Sequence, residues 1–259
     1  MAPPEPGTRR VVVTGGGSGI GRAVALRLAA AGGSVAVVGR RPERLAETAA
    51  LAPGRIHPLV GDLASPPQRA DLLARSRELL GGLDGLVHAA GIASHRAPGR
   101  IDEDGLRSML EVNLVAPLRL GEQALEHLEP GGGVVFVSST LAMRPIETSA
   151  VYSAAKAGMD AAMRSLAIAG APKGIRFNSV APGLVDTEMI RELRLAPGER
   201  EPEAKDERVR EQVAALAGLA PLGRLGTPDE IAVAIVHLLA APWTTGSVHV
   251  VDGGLMLRG

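Results

Sequence analysis

The runs RVVVT (10–14), SVAVVG (34–39) and GGGVVFVSS (131–139) are apolar at nearly every position. They show little of the alternation that marks a strand with one wet face, so both faces have to be covered. Longer stretches with helical spacing separate such runs, at 20–32, 42–51, 66–80, 103–128, 150–170 and 228–239. Further strands read at 56–63, 83–91, 174–183 and 247–254. Seven βα-type repeats with right-handed crossovers predict an α/β fold, one doubly wound parallel sheet with helices on both faces. Residues 10–259 read as a single domain and residues 1–9 as a flexible tail.

With 259 residues, 46% of them apolar, the chain can bury a full core. Lys+Arg and Asp+Glu are 28 each, which leaves no basic field to gather nucleic acid or an anionic membrane. There is no cysteine, hence no disulfide or thiolate chemistry. The start lacks the apolar stretch of a signal peptide, and no run approaches the ~20 apolar residues of a membrane span. A soluble, cytoplasmic protein is expected, with neither nucleic acid nor membrane as partner. The six histidines are scattered without ligand spacing, so no metal site is expected. One segment, 187–220, is longer than an ordinary connection and highly charged in its middle, and it reads as a lid over a ligand site.

TGGGSGIG (14–21) follows the first strand and opens the first helix. An NTPase loop needs Lys-Ser/Thr after its last glycine, but Arg22-Ala23 stand there; G-x-G-x-x-G fails as well, at Ile20. What remains is T-G-x-x-x-G-x-G. In this setting Gly15, Gly17, Ser18, Gly19, Ile20 and Gly21 are expected to let a dinucleotide pyrophosphate rest on the helix N-terminus. The second strand ends in Gly39-Arg40-Arg41, where an NAD site of this Rossmann type usually carries an acid for the ribose 2′-hydroxyl. Two guanidiniums suit a 2′-phosphate instead, so NADP(H) is preferred, with NAD(H) as the alternative.

The only tyrosine, Tyr152, lies four residues before Lys156, one of three lysines in a chain that otherwise uses arginine. At i and i+4 the two share a helix face. A free phenol has a pKa near ~10, and bringing it down ~3 units needs ~4 kcal/mol. A unit charge ~4 Å away at an effective dielectric of ~20 supplies an interaction of that order. The sequence therefore predicts a phenol made acidic by its lysine.

These pieces, together with GDL (61–63), HAAG (88–91), VNL (112–114), SS (138–139), YSAAK (152–156), PGLVDT (182–187), PLGRLGTPDEIA (221–232) and VDGG (251–254), occur in an order that resembles the short-chain dehydrogenase/reductase family over nearly the whole chain. The resemblance implies a seven-stranded sheet of order 3-2-1-4-5-6-7 and a tetrad of Asn113, Ser139, Tyr152 and Lys156. Tyr152 would exchange a proton with a carbonyl or alcohol oxygen. Lys156 would depress its pKa and hold the nicotinamide ribose. Ser139 would orient the reacting oxygen, with Ser138 competing for that role, although the spacing favours Ser139. The backbone of Asn113 would hold a water. By the same likeness Asp62 and Leu63 meet the adenine, Ala90 and Gly91 line the adenosine side, Pro182 and Gly183 begin the loop under the nicotinamide, and Thr187 binds near the nicotinamide amide or the pyrophosphate. His88 stands where the family often has asparagine, so a ring nitrogen would tie the loop instead. A homo-oligomer, tetramer or dimer, is also implied; Gly170, at the end of a helix that commonly packs on a partner, weakens the tetramer.

The candidate substrate pocket combines Ser94, His95 and Arg96, Leu141 to Met143, and Leu184, Met189 and Ile190. That mixture suits reduction of a ketone, or oxidation of the alcohol, on a medium-sized and mainly apolar small molecule. A carrier-linked 3-oxoacyl reductase is the alternative, although the stretch after the long helix, EHLEPGGG (126–133), is acidic and only Lys173 and Arg176 offer positive charge. A dinucleotide sensor without catalysis is the alternative of another class; sensors on this fold typically lose the tyrosine or the lysine, and both remain here.

Overall fold

The computed structural model describes residues 9–96, 100–192 and 204–258. Seven parallel strands form one sheet in the order β3-β2-β1-β4-β5-β6-β7. They are β1 (Arg10–Thr14), β2 (Ser34–Gly39), β3 (Ile56–Val60), β4 (Gly85–His88), β5 (Gly133–Val137), β6 (Arg176–Pro182) and β7 (Val248–Val251).

Side chains alternate across the central strands, and both sets are buried. Val11 and Val13 face one core with Val35, Val37 and Val135, covered by helices α1 (Gly19–Ala30) and α10 (Pro228–Ala240) through Leu28, Ile235 and Leu239. Val12, Val38 and Phe136 face the other core. That side is covered by α4 (Leu72–Leu80), α6 (Ala116–His127) and α7 (Ala150–Gly170), through Leu73, Leu120 and Met163. Complete two-faced burial holds for the centre only. β3 and β7 lie at the sheet margins, and residues of β3 (His57 to Val60) and β7 (His249, Val250) stay half-buried or exposed.

The elements read from the sequence recur with shorter strands. The expected helix over 66–80 is broken into α3 (Pro66–Ala70) and α4, with Asp71 between them. The expected long helix over 103–128 consists of α5 (Glu103–Leu110), a π turn (Glu111–Val115) and α6. A π turn relaxes the α-helical bonding at one point and often marks a functional position. Asn113 sits inside it. The remaining helices are α2 (Pro42–Ala50), α8 (Glu188–Arg191) and α9 (Lys205–Ala217). The expected lid of 187–220 thus includes α8 and α9, while its middle, 193–203, and most of the expected tail lie outside the described residues.

Gly170 has a packing explanation inside one chain. A Cβ there would lie 2.6 Å from the carbonyl oxygen of Ile175 and 2.8 Å from the Phe177 ring. The end of α7 is pressed onto β6, and only glycine permits it. Gly170→Ala should therefore destabilise the fold by about 1–3 kcal/mol, read as a lower midpoint in urea unfolding. An unchanged midpoint would remove this account.

Candidate active site

The sharp turn from β1 into α1 brings two backbone segments into near contact. Gly15 has φ +70°, and a Cβ on it would meet Ala90 N at 2.8 Å; a Cβ on Gly21 would meet the Gly15 carbonyl oxygen at 2.4 Å. Glycine at these two points is therefore demanded by the protein's own packing, which fixes the course of the loop. Thr187 closes over it, with its Cγ2 3.3 Å from where a Cβ of Gly19 would be. His88, at the end of β4, is within 3.1 Å of Thr14 Oγ1 through Nδ1, and Thr14 Oγ1 accepts from Ala90 N at 3.2 Å. The loop expected to need an asparagine is tied down by this His88–Thr14–Ala90 chain.

Complete burial, helped by the charge of Lys156, lowers the His88 pKa to about 3, while backbone groups of Val112 and Ala90 pull weakly the other way. The imidazole is therefore neutral at all physiological pH values. Its folded pKa is below the unfolded value near ~6.5, so the stability it contributes is complete above that pH and is lost as pH falls toward the folded value. Replacing this titration by His88→Asn should flatten the loss of unfolding free energy between pH 7 and 5 by on the order of 1–2 kcal/mol. Parallel slopes for the two proteins would exclude His88 as its source.

Tyr152 and Lys156 face the same way from α7, both nearly inaccessible, with the ammonium 5.8 Å from the phenol ring centre. Lys156 Nζ donates to the Val137 carbonyl oxygen at the end of β5, at 2.8 Å. Ser139, two residues on, lies beside the phenol, and its hydroxyl also accepts from Leu141 N at 3.1 Å. Ser138 is turned the other way: its buried hydroxyl donates to Asp160 Oδ2 at 2.7 Å. Asn113 is buried in the π turn, where its amide donates to the Ile92 carbonyl oxygen at 2.8 Å and its Oδ1 accepts from Ile92 N at 3.3 Å. Its visible contribution is a side-chain clamp on the loop after β4.

The electrostatics differ from the sequence expectation. Burial pushes the Tyr152 phenol up to about 12, against a smaller opposing pull from Ser139. Burial also lowers Lys156 to about 8, partly countered by Asp160. In the protein alone the lysine does not make the phenol acidic: loss of water is the larger influence on both groups, opposed at the phenol by Ser139 and at the ammonium by Asp160. As the only tyrosine, Tyr152 can be titrated directly by tyrosinate absorbance. The midpoint should lie near 12 in the folded protein, well above the ~10 of the urea-unfolded chain. A folded midpoint at or below the unfolded one would restore the original expectation.

Ser139, Tyr152, Lys156, Thr187 and the glycine loop line one cleft of about 700 Å³, at the carboxyl ends of the strands, which also contains Arg40, Arg41, Asp62, Leu63, Gly91, Pro182 and Gly183, whereas Asn113 and His88 lie behind its wall. Over the same chain, the family model described as "Enoyl-(Acyl carrier protein) reductase" matches residues 15–256. The chain belongs to the short-chain dehydrogenase/reductase family. It is an oxidoreductase of that family, whose members use NAD(P)(H). It is 34% identical to carbonyl reductase family member 4 of Xenopus tropicalis, covering 97% of this chain and 99% of the relative. It is 35% identical to the 3-oxoacyl-[acyl-carrier-protein] reductase of Mus musculus, over 95% of this chain and 97% of that one. A solved short-chain dehydrogenase/reductase from Brucella melitensis superposes with a TM-score of 0.84 at 31% identity, covering 95% and 96% of the two chains.

The residues of this dehydrogenase/reductase fit a dinucleotide. Gly15, Gly17, Ser18, Gly19, Ile20 and Gly21 line the cleft where the helix begins, and Asp62 accepts from Ala64 N at 3.0 Å through Oδ1, which leaves its second oxygen for a ligand. Beyond β2, Arg41 and Arg44 both reach Glu188 of α8, at 3.4 and 3.6 Å, and Arg44 also reaches Glu47 at 3.2 Å. Arg40 has no ion-pair partner among the described residues. Arg44 and Glu188 escaped sequence reasoning, although Arg44 is three residues after Arg41 at the start of a helix, the spacing of a shared face.

At the substrate end the expected His95, Leu141, Leu184, Met189 and Ile190 line the cleft, while Ser94, Arg96, Ala142 and Met143 do not. Arg96 turns back to Ser94 Oγ at 3.2 Å. Missing from the expectation are Ile146, Leu216, Leu219 and the C-terminal Leu255, Met256 and Arg258. These come from three segments widely separated along the chain, which no local spacing could join.

Proposed function

We propose that this dehydrogenase/reductase interconverts a ketone and a secondary alcohol on a medium-sized, mainly apolar small molecule, with NADP(H) preferred over NAD(H). One observation carries the reading: Tyr152 and Lys156, one helical turn apart, are buried at the floor of the cleft that also contains the glycine loop. A bound nicotinamide would supply or accept the hydride. Gly15, Gly17, Ser18, Gly19, Ile20 and Gly21 would hold the pyrophosphate, Asp62 and Leu63 the adenine, Ala90 and Gly91 the adenosine side, and Pro182, Gly183 and Thr187 the nicotinamide end. Tyr152 keeps its proton at neutral pH and so enters reduction as the proton donor to the substrate oxygen. Ser139 orients that oxygen. Lys156, tied to Val137, places its charge below the phenol. Arg40, without an ion-pair partner among the described residues, is the guanidinium best placed for a 2′-phosphate.

Met189 and Ile190 from one side of the 187–220 segment, and Leu216 and Leu219 from the other, line the cleft, in keeping with its reading as a lid. A homo-oligomer fits the strongly exposed Trp243 and Ile168.

A 3-oxoacyl reductase that takes its substrate from a carrier protein is the second reading, favoured by the mouse relative. Against it, of the two cations expected to receive a carrier, Arg176 is buried and donates to the carbonyl oxygens of Leu238, Leu239 and Ala241, which leaves Lys173 of that pair. Turnover of acyl thioesters well above that of free ketones would favour this second reading.

Purified protein given NADPH and a panel of ketones should consume the cofactor. Tyr152→Phe should cut that rate by about 10²–10⁴-fold with the fold intact by circular dichroism. Arg40→Asp should raise KM for NADPH about tenfold or more and move the preference toward NADH. Silence on every ketone with both cofactors, or full cellular function in Tyr152→Phe, would turn the reading toward a sensor.

A further inference from the structure

The substrate end of the cleft has a charge pattern that an apolar ketone does not need. Its wall is apolar, formed by Leu141, Ile146, Leu184, Leu216 and Leu255. Two arginines interrupt it. Arg144, after the short 3₁₀ turn Thr140–Ala142 that follows Ser139, and Arg258, at the end of the chain, both line the cleft and both are exposed. Neither has an acidic partner among the described residues, and neither guanidinium is loose. Arg144 Nη1 donates to the carbonyl oxygens of Leu255, at 3.4 Å, and of Arg258. Arg258 Nη1 donates to the Gly218 carbonyl oxygen at 2.7 Å.

Each arginine is therefore held by one nitrogen against backbone, and its other N–H donors have no protein partner among the described residues. The acids that line the cleft, Asp62 and Glu188, lie toward the other end: Asp62 follows β3, and Glu188 is engaged with Arg41 and Arg44. A fixed guanidinium fork without a carboxylate of its own is suited to an oxyanion brought by a ligand.

We infer that Arg144 and Arg258 recognise a carboxylate on the substrate, which makes the substrate class a small oxo acid, or the matching hydroxy acid, with an apolar body between its carbonyl and its carboxylate. The inference rests on the proposed ketone–alcohol chemistry for the first half of that description only. The phosphate of a pantetheine arm has related chemistry. The free acid is favoured because, of the two cations expected to receive a carrier, Arg176 is buried against backbone carbonyls.

Binding tests the anion without requiring turnover. Cyclohexanecarboxylate and its neutral isostere cyclohexanecarboxamide are titrated calorimetrically into the full-length protein, with and without NADP⁺. The acid should bind about tenfold more tightly or better. Arg144→Gln and Arg258→Gln should each erase most of that ratio, and Arg144→Lys should restore part of it, which loss of a backbone anchor alone would not explain. Equal affinities for acid and amide, or a ratio untouched by either Gln variant, would overturn the assignment. Pantetheine 4′-phosphate against pantetheine forms the second arm, and a phosphate effect without a carboxylate effect would overturn the small-acid class. Parallel turnover of oxo acids and their methyl esters separates the two levels. Esters and acids turned over alike sink the carboxylate site alone, whereas carboxylate-selective binding with no turnover of either sinks the ketone chemistry alone.

Discussion

Burial of the central strands on both faces governs where chemistry can occur in this protein. Val11, Val12 and Val13 of β1 are completely inaccessible, as are Val134, Val135 and Phe136 of β5. With helices on both sides, no polar group on these strands can reach solvent sideways. The chain exposes functional groups only where strands end, and the carboxyl ends of a doubly wound sheet are where such folds bind ligands. Ser139 follows β5, the loop with Gly91 follows β4, Pro182 closes β6, and Arg40 follows β2. One packing constraint thus gathers residues from four different strands at one edge.

The same burial sets the electrostatics of that edge. Tyr152 and Lys156 are placed against the end of β5, and taking them from water raises the phenol and lowers the ammonium. A pair described only by Coulomb's law would move the phenol the other way. Desolvation wins because it is the largest influence on both groups, with Ser139 opposing it at the phenol and Asp160 at the ammonium. Beneath them Asp160, one turn beyond Lys156, accepts from Ser138 and supports the lysine's charge. Two adjacent serines therefore have opposite duties: Ser138 serves the buried carboxylate, and Ser139 stays beside the phenol.

Much of this was legible in the sequence because it is periodic or local. Apolar runs located the strands, the i,i+4 spacing paired Tyr152 with Lys156, and the glycine loop stood between strand and helix. What escaped was decided by position in the finished sheet. Nothing in VHVV shows that β7 is marginal and half exposed, since its composition matches a central strand. The π turn around Asn113 is a one-residue change of hydrogen bonding with no compositional mark. The sign of the tyrosine shift depends on burial, which spacing does not report. Arg144, Leu216 and Arg258 meet only because distant segments fold over one cleft.

Global charge misleads for the same reason. The formal net charge of zero removed nucleic acid and membrane from consideration, yet charge within the chain is not evenly spread. Among the described residues, the cleft is lined by six basic groups, Arg40, Arg41, Arg44, Arg144, Lys156 and Arg258, and by two acids, Asp62 and Glu188. A concave site with low-dielectric walls focuses such an excess and raises the local concentration of anions. Apart from Lys156, the basic groups fall into two sets, Arg40, Arg41 and Arg44 beyond β2, and Arg144 with Arg258. A dinucleotide phosphate and a substrate carboxylate would each meet its own set, so a field that attracts both need not make them compete. Salt should weaken both attractions, most of all where the guanidiniums are exposed to solvent.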